Sequence, residues 1–311
     1  MLYEQNPGNG DCSYFLKAFS IQSDQLQIGQ EAGKVKTNFP GFSTNYVIWN
    51  EMPSASPTYD TNGYSGSTPG TTKGADVINE MNNLYGLFGW FCHGGTGGKR
   101  SGIATMASGL NDKPYWKLDA EDANGFHDVQ PESNNGLDNL TNHDSPSILY
   151  SNSCTVTPFD ITSNIGNSGA RNCGEVFTIL PQTGGVAFLG NTRYGLVGLL
   201  YLMHKQFGTL IYTDDFHSHI GVAECISRYN QSYVDLYYSH NLIGCPEIQM
   251  WTATPQRFTS ATVSKNGNVT DDKASGPVTI QSGANVIIDA DGETTINGSF
   301  EVQAGAQFEI K

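Results

Sequence analysis

Leu84-Tyr85-Gly86-Leu87-Phe88-Gly89-Trp90-Phe91-Cys92-His93-Gly94-Gly95 is an apolar run that ends in a histidine and two glycines. The arrangement recurs downstream, where Ile148-Leu149-Tyr150-Ser151-Asn152-Ser153 leads into Cys154. A short apolar run bounded by turn residues suits a strand buried on both faces. Both predicted strands end at a side chain that can carry a proton or attack an electrophile. In open parallel sheets, chemistry collects at the carboxyl ends of strands. His93 and Cys154 are therefore a candidate dyad on neighbouring strand ends.

Outward from these two stretches the chain alternates strand and helix. Residues 14–21 read as a strand, with Asp24 just beyond its end, and residues 24–38 as a helix carrying Leu26, Ile28, Ala32 and Val35. Asn45-Tyr46-Val47-Ile48-Trp49-Asn50 is β-branched and aromatic, hence a second strand. A Ser/Thr/Gly/Pro loop over 52–72 precedes a short helix at 74–82. Beyond Cys154 the spacing predicts a helix over 174–180, a buried strand over 186–190, helices over 195–208 and 219–230, and a last short strand at 248–251. Such alternation defines an α/β fold with a mainly parallel sheet flanked by helices. Residues 95–144 interrupt it as a long polar connection containing Asp112, Asp119, Glu121, Asp122, Asp128, Glu132, Asp138 and Asp144. Composition shifts near Ala253. From there short strand-like phrases are split by Gly-containing turns, which predicts a small all-β segment over 254–311 with weak internal repetition.

The 311 residues are enough for a sizeable core without covalent staples. A net charge of −14 argues against sequence-independent nucleic-acid binding, which needs cations against phosphates. No apolar run approaches the length of a membrane span. The six cysteines form no C-x-x-C pair, so a zinc ribbon is not expected, and several sit in apolar surroundings as buried thiols. The first residues lack the basic start and apolar core of a signal peptide, so either the protein is cytoplasmic or a targeting segment lies upstream.

Taken singly, His93 is as readily a loop histidine, and Cys154 as readily an inert packing residue. Jointly they say more. An imidazole beside the thiol can take its proton or stabilise the thiolate. The backbone amides of Gly94 and Cys154 would then hold the carbonyl oxygen as charge develops. Cys92 adjoins His93, but alternation along a strand turns it to the other face. His217-Ser218-His219 reads as a polar loop before a helix rather than a metal pair. No metal is expected in the chemistry and no cofactor. The acidic 95–144 connection would favour basic substrates or hold a structural Ca²⁺ ion through its carboxylates.

Tyr3-Glu4-Gln5-Asn6-Pro7, Trp90-Phe91-Cys92-His93-Gly94, Ser151-Asn152-Ser153-Cys154, the 184–193 stretch and Leu242-Ile243-Gly244-Cys245-Pro246-Glu247 together resemble the gingipain family of cysteine peptidases, of the caspase-like clan. The resemblance spans roughly residues 1–251. It implies a caspase-like sheet over 1–253, His93 as base, Cys154 as nucleophile, and the amides of Gly94 and Cys154 as oxyanion donors. It also implies Asp24 as the acidic residue of a substrate-binding pocket, although Ser23-Asp24 equally suits a helix N-cap. Cys92 and Cys245 depart from the family pattern, which has Gly and Asp there. The resemblance further implies a bacterial protein, secreted or at the cell surface by the type IX route, and a chain that begins inside the catalytic domain and lacks its supporting half. The expected activity is a cysteine endopeptidase acting on protein or peptide substrates. The alternative is an inactive or truncated secreted homologue serving as a structural or adhesion module. A third reading is a cytoplasmic hydrolase unrelated to the peptidases.

Overall fold

The computed structural model describes residues 3, 13–23, 26–27, 29–50, 74–96, 101–106, 114–120, 134–159, 171–196, 198–214, 216–230, 233–252, 256–258, 261–264, 269–270, 278–289, 296–297 and 300–310. The chain divides into two compact units, Met1–Met250 and Trp251–Lys311.

The larger unit is built on a six-stranded sheet. Its strands are β1 (Ala18–Gln22), β2 (Tyr46–Asn50), β3 (Leu87–Phe91), β7 (Ser147–Ser151), β8 (Gly185–Asn191) and β9 (His240–Gly244), in the spatial order β2-β1-β3-β7-β8-β9. All neighbours are parallel except β9, which runs antiparallel to β8. β3 and β7, the two apolar runs that lead to His93 and Cys154, are central and every residue in them is buried. Paired on both sides and covered on both faces, they must be apolar almost throughout.

Helices α1 (Glu31–Lys36), α2 (Gly74–Met81), α3 (Cys173–Ile179), α4 (Leu200–Leu210), α5 (Ile220–Tyr229) and α6 (Val234–Ser239) complete the unit. Alternate strand residues serve opposite faces. Phe19, Ile21, Phe88, Trp90, Leu149 and Phe188 join Val77, Ile78 and Met81 of α2 and Val176 and Phe177 of α3 in one core. Its aromatics meet edge to face, Trp90 on Phe188 at 5.6 Å and Phe88 on Phe177 at 6.3 Å. Each such fully buried side chain stabilises the fold by roughly 1.5–3 kcal/mol. Opposite, α1 packs on β1 and α4, and α4 on α5. An Asn172–Glu175 capping box satisfies the amides that open α3.

Several expectations change. The strand expected over 14–21 begins only at Ala18, and the regular helix within the expected 24–38 is Glu31–Lys36. The 95–144 connection carries an antiparallel sheet of β4 (His93–Thr96), β5 (Ser101–Met106) and β6 (Pro114–Asp119), which polarity alone concealed. α4 starts at Leu200 rather than residue 195, because the described residues before it, 192–196 and 198–199, are non-helical, with Gly198 at φ +82°. The terminal strand is β9, followed by only an isolated bridge between His219 and Gln249 where 248–251 was expected to extend.

Among the described residues of the smaller unit every pairing is parallel. β10 (Gln256–Phe258), β13 (Val278–Ile280) and β16 (Phe300–Val302) form one ladder. β11 (Ala261–Ser264), β14 (Asn285–Asp289) and β17 (Gln307–Ile310) form a second, and β12 (Val269–Thr270) with β15 (Ile296–Asn297) a third. Val278 lies opposite Phe300 and Val286 opposite Phe308, a 22-residue return, whereas Ala261 lies opposite Val286 and Val269 opposite Ile296, returns of 25 and 27 residues, so the chain coils as a solenoid with unequal turns. The turns of successive coils place Gly283 at φ +78° and Gly305 at φ +87°, conformations that glycine adopts without strain. Ile280, Ala284 and Val286 fill the interior against Phe300, Ala306 and Phe308.

Candidate active site

β3 ends at Phe91, the chain bends at Cys92, and β4 begins at His93, which sits opposite Ala104 of β5. The bend separates the two side chains. Cys92 is buried with its Sγ 3.7 Å from the carbonyl of Ile21, inside the core, whereas His93 is half-buried.

β7 ends at Ser151. Asn152 extends the ladder by one bond, its N–H donating to Trp90 O at 2.7 Å. The turn carrying Cys154 is then fixed from several sides. Ser153 N–H donates to Ser151 Oγ at 3.2 Å, Asn191 Nδ2 donates to Ser153 O at 2.9 Å, and Thr155 N–H donates to Arg193 O at 2.8 Å. Thr155 takes φ +42°, a genuine outlier for a β-branched residue. Strain of that kind persists only where the surroundings over-determine the backbone.

β3 and β7 are adjacent, with Trp90 in register with Ser151, so His93 and Cys154 leave the same sheet edge from neighbouring strands. Gly94 completes the approach. A methyl there would overlap the carbonyl oxygen of Cys154, with Ser153 Cβ and Val156 Cγ1 each 2.9 Å away. Only a residue without a Cβ permits that contact.

Gly195 clasps the thiol. Its N–H donates to Cys154 Sγ at 3.2 Å, and the thiol donates to its carbonyl at 3.5 Å. Burial raises the thiol pKa, partly offset by the amides of Gly195 and of Cys154 itself, which favour thiolate. The residues flanking Gly195, Tyr194 and Leu196, line a cavity of about 450 Å³ with Arg193, Tyr233, Asp235, Tyr238 and Ser239. The same loop is tied down at Gly198, whose N–H donates to Oε1 of the buried Glu31 at 3.2 Å. Burial lifts the Glu31 carboxyl to about 7, against the smaller opposing effects of that bond and of Lys34.

Asp24, Asp112, Glu121, Asp122, Asp128 and Glu132 lie outside the described residues. Among the described residues no group of three or more His, Cys, Asp or Glu side chains gathers as a metal site. His217 bonds Asp214 at 2.8 Å in the loop before α5. Asn152, Asn191, Gly195 and Glu31 are site-forming residues that the sequence reading did not single out. Asn191 ends the strand beside β7, so the strand-end rule that selected His93 and Cys154 could have found it. Nothing local marks Gly195 or Glu31.

A mainly parallel sheet flanked by helices, with a thiol and an imidazole leaving adjacent strand ends, defines a caspase-like fold. The chain belongs to peptidase family C25, whose sequence profile matches residues 3–251. Among solved structures it is similar to the complex of the pro- and mature domains of Porphyromonas gingivalis RgpB, with a TM-score of 0.51 and 11% identity over 82% of this chain and 54% of that one. It is likewise similar to the Arg-specific cysteine proteinase gingipain R (RgpB), with a TM-score of 0.50 and 12% identity over 82% and 53%. A third structure, described as a protease, gives a TM-score of 0.50 and 15% identity over 79% and 51%. The chain thus spans about half the length of these structures. Compared with curated protein sequences, it matches none.

Proposed function

We propose that this chain is a cysteine endopeptidase in which Cys154 is the nucleophile and His93 the proton carrier. The supporting observation is the packing of Gly94 on the Cys154 carbonyl, which brings the strand ends bearing both groups together. Substrate displaces the thiol from Gly195, and the thiol proton passes to the His93 imidazole. Sulfur bonds to the peptide carbonyl carbon, and the π pair moves onto oxygen, which the amides of Gly94 and Cys154 receive. Collapse breaks the C–N bond, and the departing amine takes the proton from His93. Water, deprotonated by His93, attacks the thioester, and the sulfur leaves and is reprotonated.

The cavity beside Gly195 is a place for a substrate side chain; Asp24, two residues after β1 in the sequence and outside the described residues, is the proposed acidic contact for a basic residue. Protein or peptide is the substrate. Export to the cell surface by a type IX route fits the family and the β-solenoid that follows; among the described residues no helix is long and apolar enough to cross a membrane. Cys154→Ala should abolish hydrolysis of an unfolded protein substrate with the fold kept; a variant that still cleaves removes Cys154 from the mechanism. A second reading, an inactive module of the same fold, is favoured by the thiol's engagement with Gly195 on both its donor and acceptor sides. Labelling of Cys154 by a peptidyl electrophile at neutral pH separates the two.

A further inference from the structure

His204 lies on α4, fully buried beneath the sheet edge that bears His93 and Cys154. Its ring is parallel to that of Tyr150, 3.8 Å away with 12° between planes, and to that of Phe91, 5.4 Å away with 8°. Phe39 meets it edge-on at 5.6 Å. Its Nδ1 is 3.0 Å from Asn152 Nδ2. An amide nitrogen only donates, so Nδ1 accepts and the ring proton sits on Nε2.

Two features set this residue apart from ordinary packing. First, it touches both strand ends at once: Phe91 is two residues before His93, and Asn152 two residues before Cys154. Second, His204 Nε2 and Asn152 Oδ1 are buried with no hydrogen-bond partner among the described residues. A leucine or phenylalanine would fill this aromatic recess without burying an unpaired polar atom, which carries a real penalty. What histidine adds is the bond to Asn152. Its burial, and secondarily its neighbour His240, hold the His204 pKa well below the ordinary histidine value, so the ring stays neutral and keeps its accepting nitrogen. The other titratable groups packed nearby are Tyr150 of β7 and His240 of β9, the latter bonded to Glu224 of α5, which Arg228 also contacts.

We propose that His204 is a positioning residue that sets the spacing of the His93 and Cys154 strand ends, by stacking on Phe91 while holding Asn152. The proposal rests on the His93–Cys154 reading. It assigns His204 no contact with substrate. Its effect is on how closely imidazole and thiol approach, and hence on how readily the thiolate forms.

The test is alkylation of the full-length chain by iodoacetamide as a function of pH, following the Cys154 peptide by mass spectrometry. His204→Leu should slow the reaction about tenfold at neutral pH and move its midpoint up by about one unit. His204→Gln, which can still bond Asn152, should stay near wild type, a rescue that bulk packing alone does not give. Asn152→Ser removes the amide without touching the aromatic stack. It should reproduce the His204→Leu profile, and it decides the matter if His204→Leu does not fold. A wild-type profile for folded His204→Leu or Asn152→Ser, or equal shifts for His204→Leu and His204→Gln, overturns the positioning role. His93→Ala separates the two levels. If it leaves the profile unchanged, the dyad reading falls and this proposal with it; if it changes the profile while His204→Leu does not, only the positioning role fails.

Discussion

Gly94 packs backbone to backbone on Cys154, with no room for a methyl group between the residue after the imidazole and the carbonyl of the nucleophile candidate. The nearest obstructing atom, the Cys154 carbonyl oxygen, is main chain and cannot rotate aside, and the side-chain atoms Ser153 Cβ and Val156 Cγ1 crowd the same point. Gly94→Ala should therefore push the strand ends apart. We expect a loss of about 1–3 kcal/mol in urea unfolding and about a hundredfold loss of peptide hydrolysis. Activity near wild type would show that the two exits need not be in contact.

Asn191 holds the turn from the opposite side through its bond to Ser153 O, and its own Oδ1 lies 3.5 Å from Ser239 Oγ. Asn191→Leu leaves the Ser153 carbonyl buried and unpaired, at a cost of about 1–3 kcal/mol. The thermal midpoint measures that cost. Cys154 alkylation in the folded variant reports whether the turn has also lost its aim.

Strands β3 and β7 were legible because a strand buried on both faces must be apolar, and that requirement is written residue by residue in 84–91 and 148–151. β9 was not legible: His240-Asn241-Leu242-Ile243-Gly244 lies at the sheet's edge, is half-buried for most of its length, and keeps no periodicity. The antiparallel β4–β6 sheet was hidden for a similar reason, since polar strands look like loops. No sequence pattern marks the partners of His204 and His240, because Asn152 and Glu224 are brought to them by tertiary packing alone. Gly195 is the clearest such case: its contact with Cys154 crosses 41 positions of chain and uses only backbone atoms of the glycine.

Glu31 predicts how stability depends on pH. In the folded chain its carboxyl titrates at about 7, against 4.5 when exposed. Between those values the folded state holds a proton that the unfolded state has released, so this group's contribution falls as pH rises from 4.5 and levels off above 7. Glu31→Gln keeps an acceptor for Gly198 N–H and removes the buried charge. Relative to wild type it should be unchanged in mild acid and more stable by on the order of 2 kcal/mol above neutrality, after allowance for solvent screening. Urea midpoints on either side of the window check this; an equal difference at both ends would assign the effect to packing.

Arg228 contacts Glu224 at 3.4 Å and donates from Nη1 to His240 O at 2.9 Å. Glu224 is 3% exposed and also faces His240 Nδ1 at 3.1 Å. Arg228→Met removes the compensating cation and leaves a buried carboxylate, which typically costs about 3–5 kcal/mol. The double variant Arg228→Met, Glu224→Leu should recover most of that loss in a thermal melt. Failure to recover would mean the arginine acts through its bond to His240 O instead.

Thr155, one residue past the thiol, occupies backbone space that suits glycine. The chain therefore keeps about 1–3 kcal/mol of unrelieved conformational energy next to Cys154. Glycine at 155 would release it, and with it the stiffness that aims the sulfur. Endurance and reactivity thus pull against each other at this one position. A laboratory selection for heat resistance alone would drift toward glycine there and yield a sturdier but quieter protein, while a selection for turnover would hold the threonine in its uncomfortable shape.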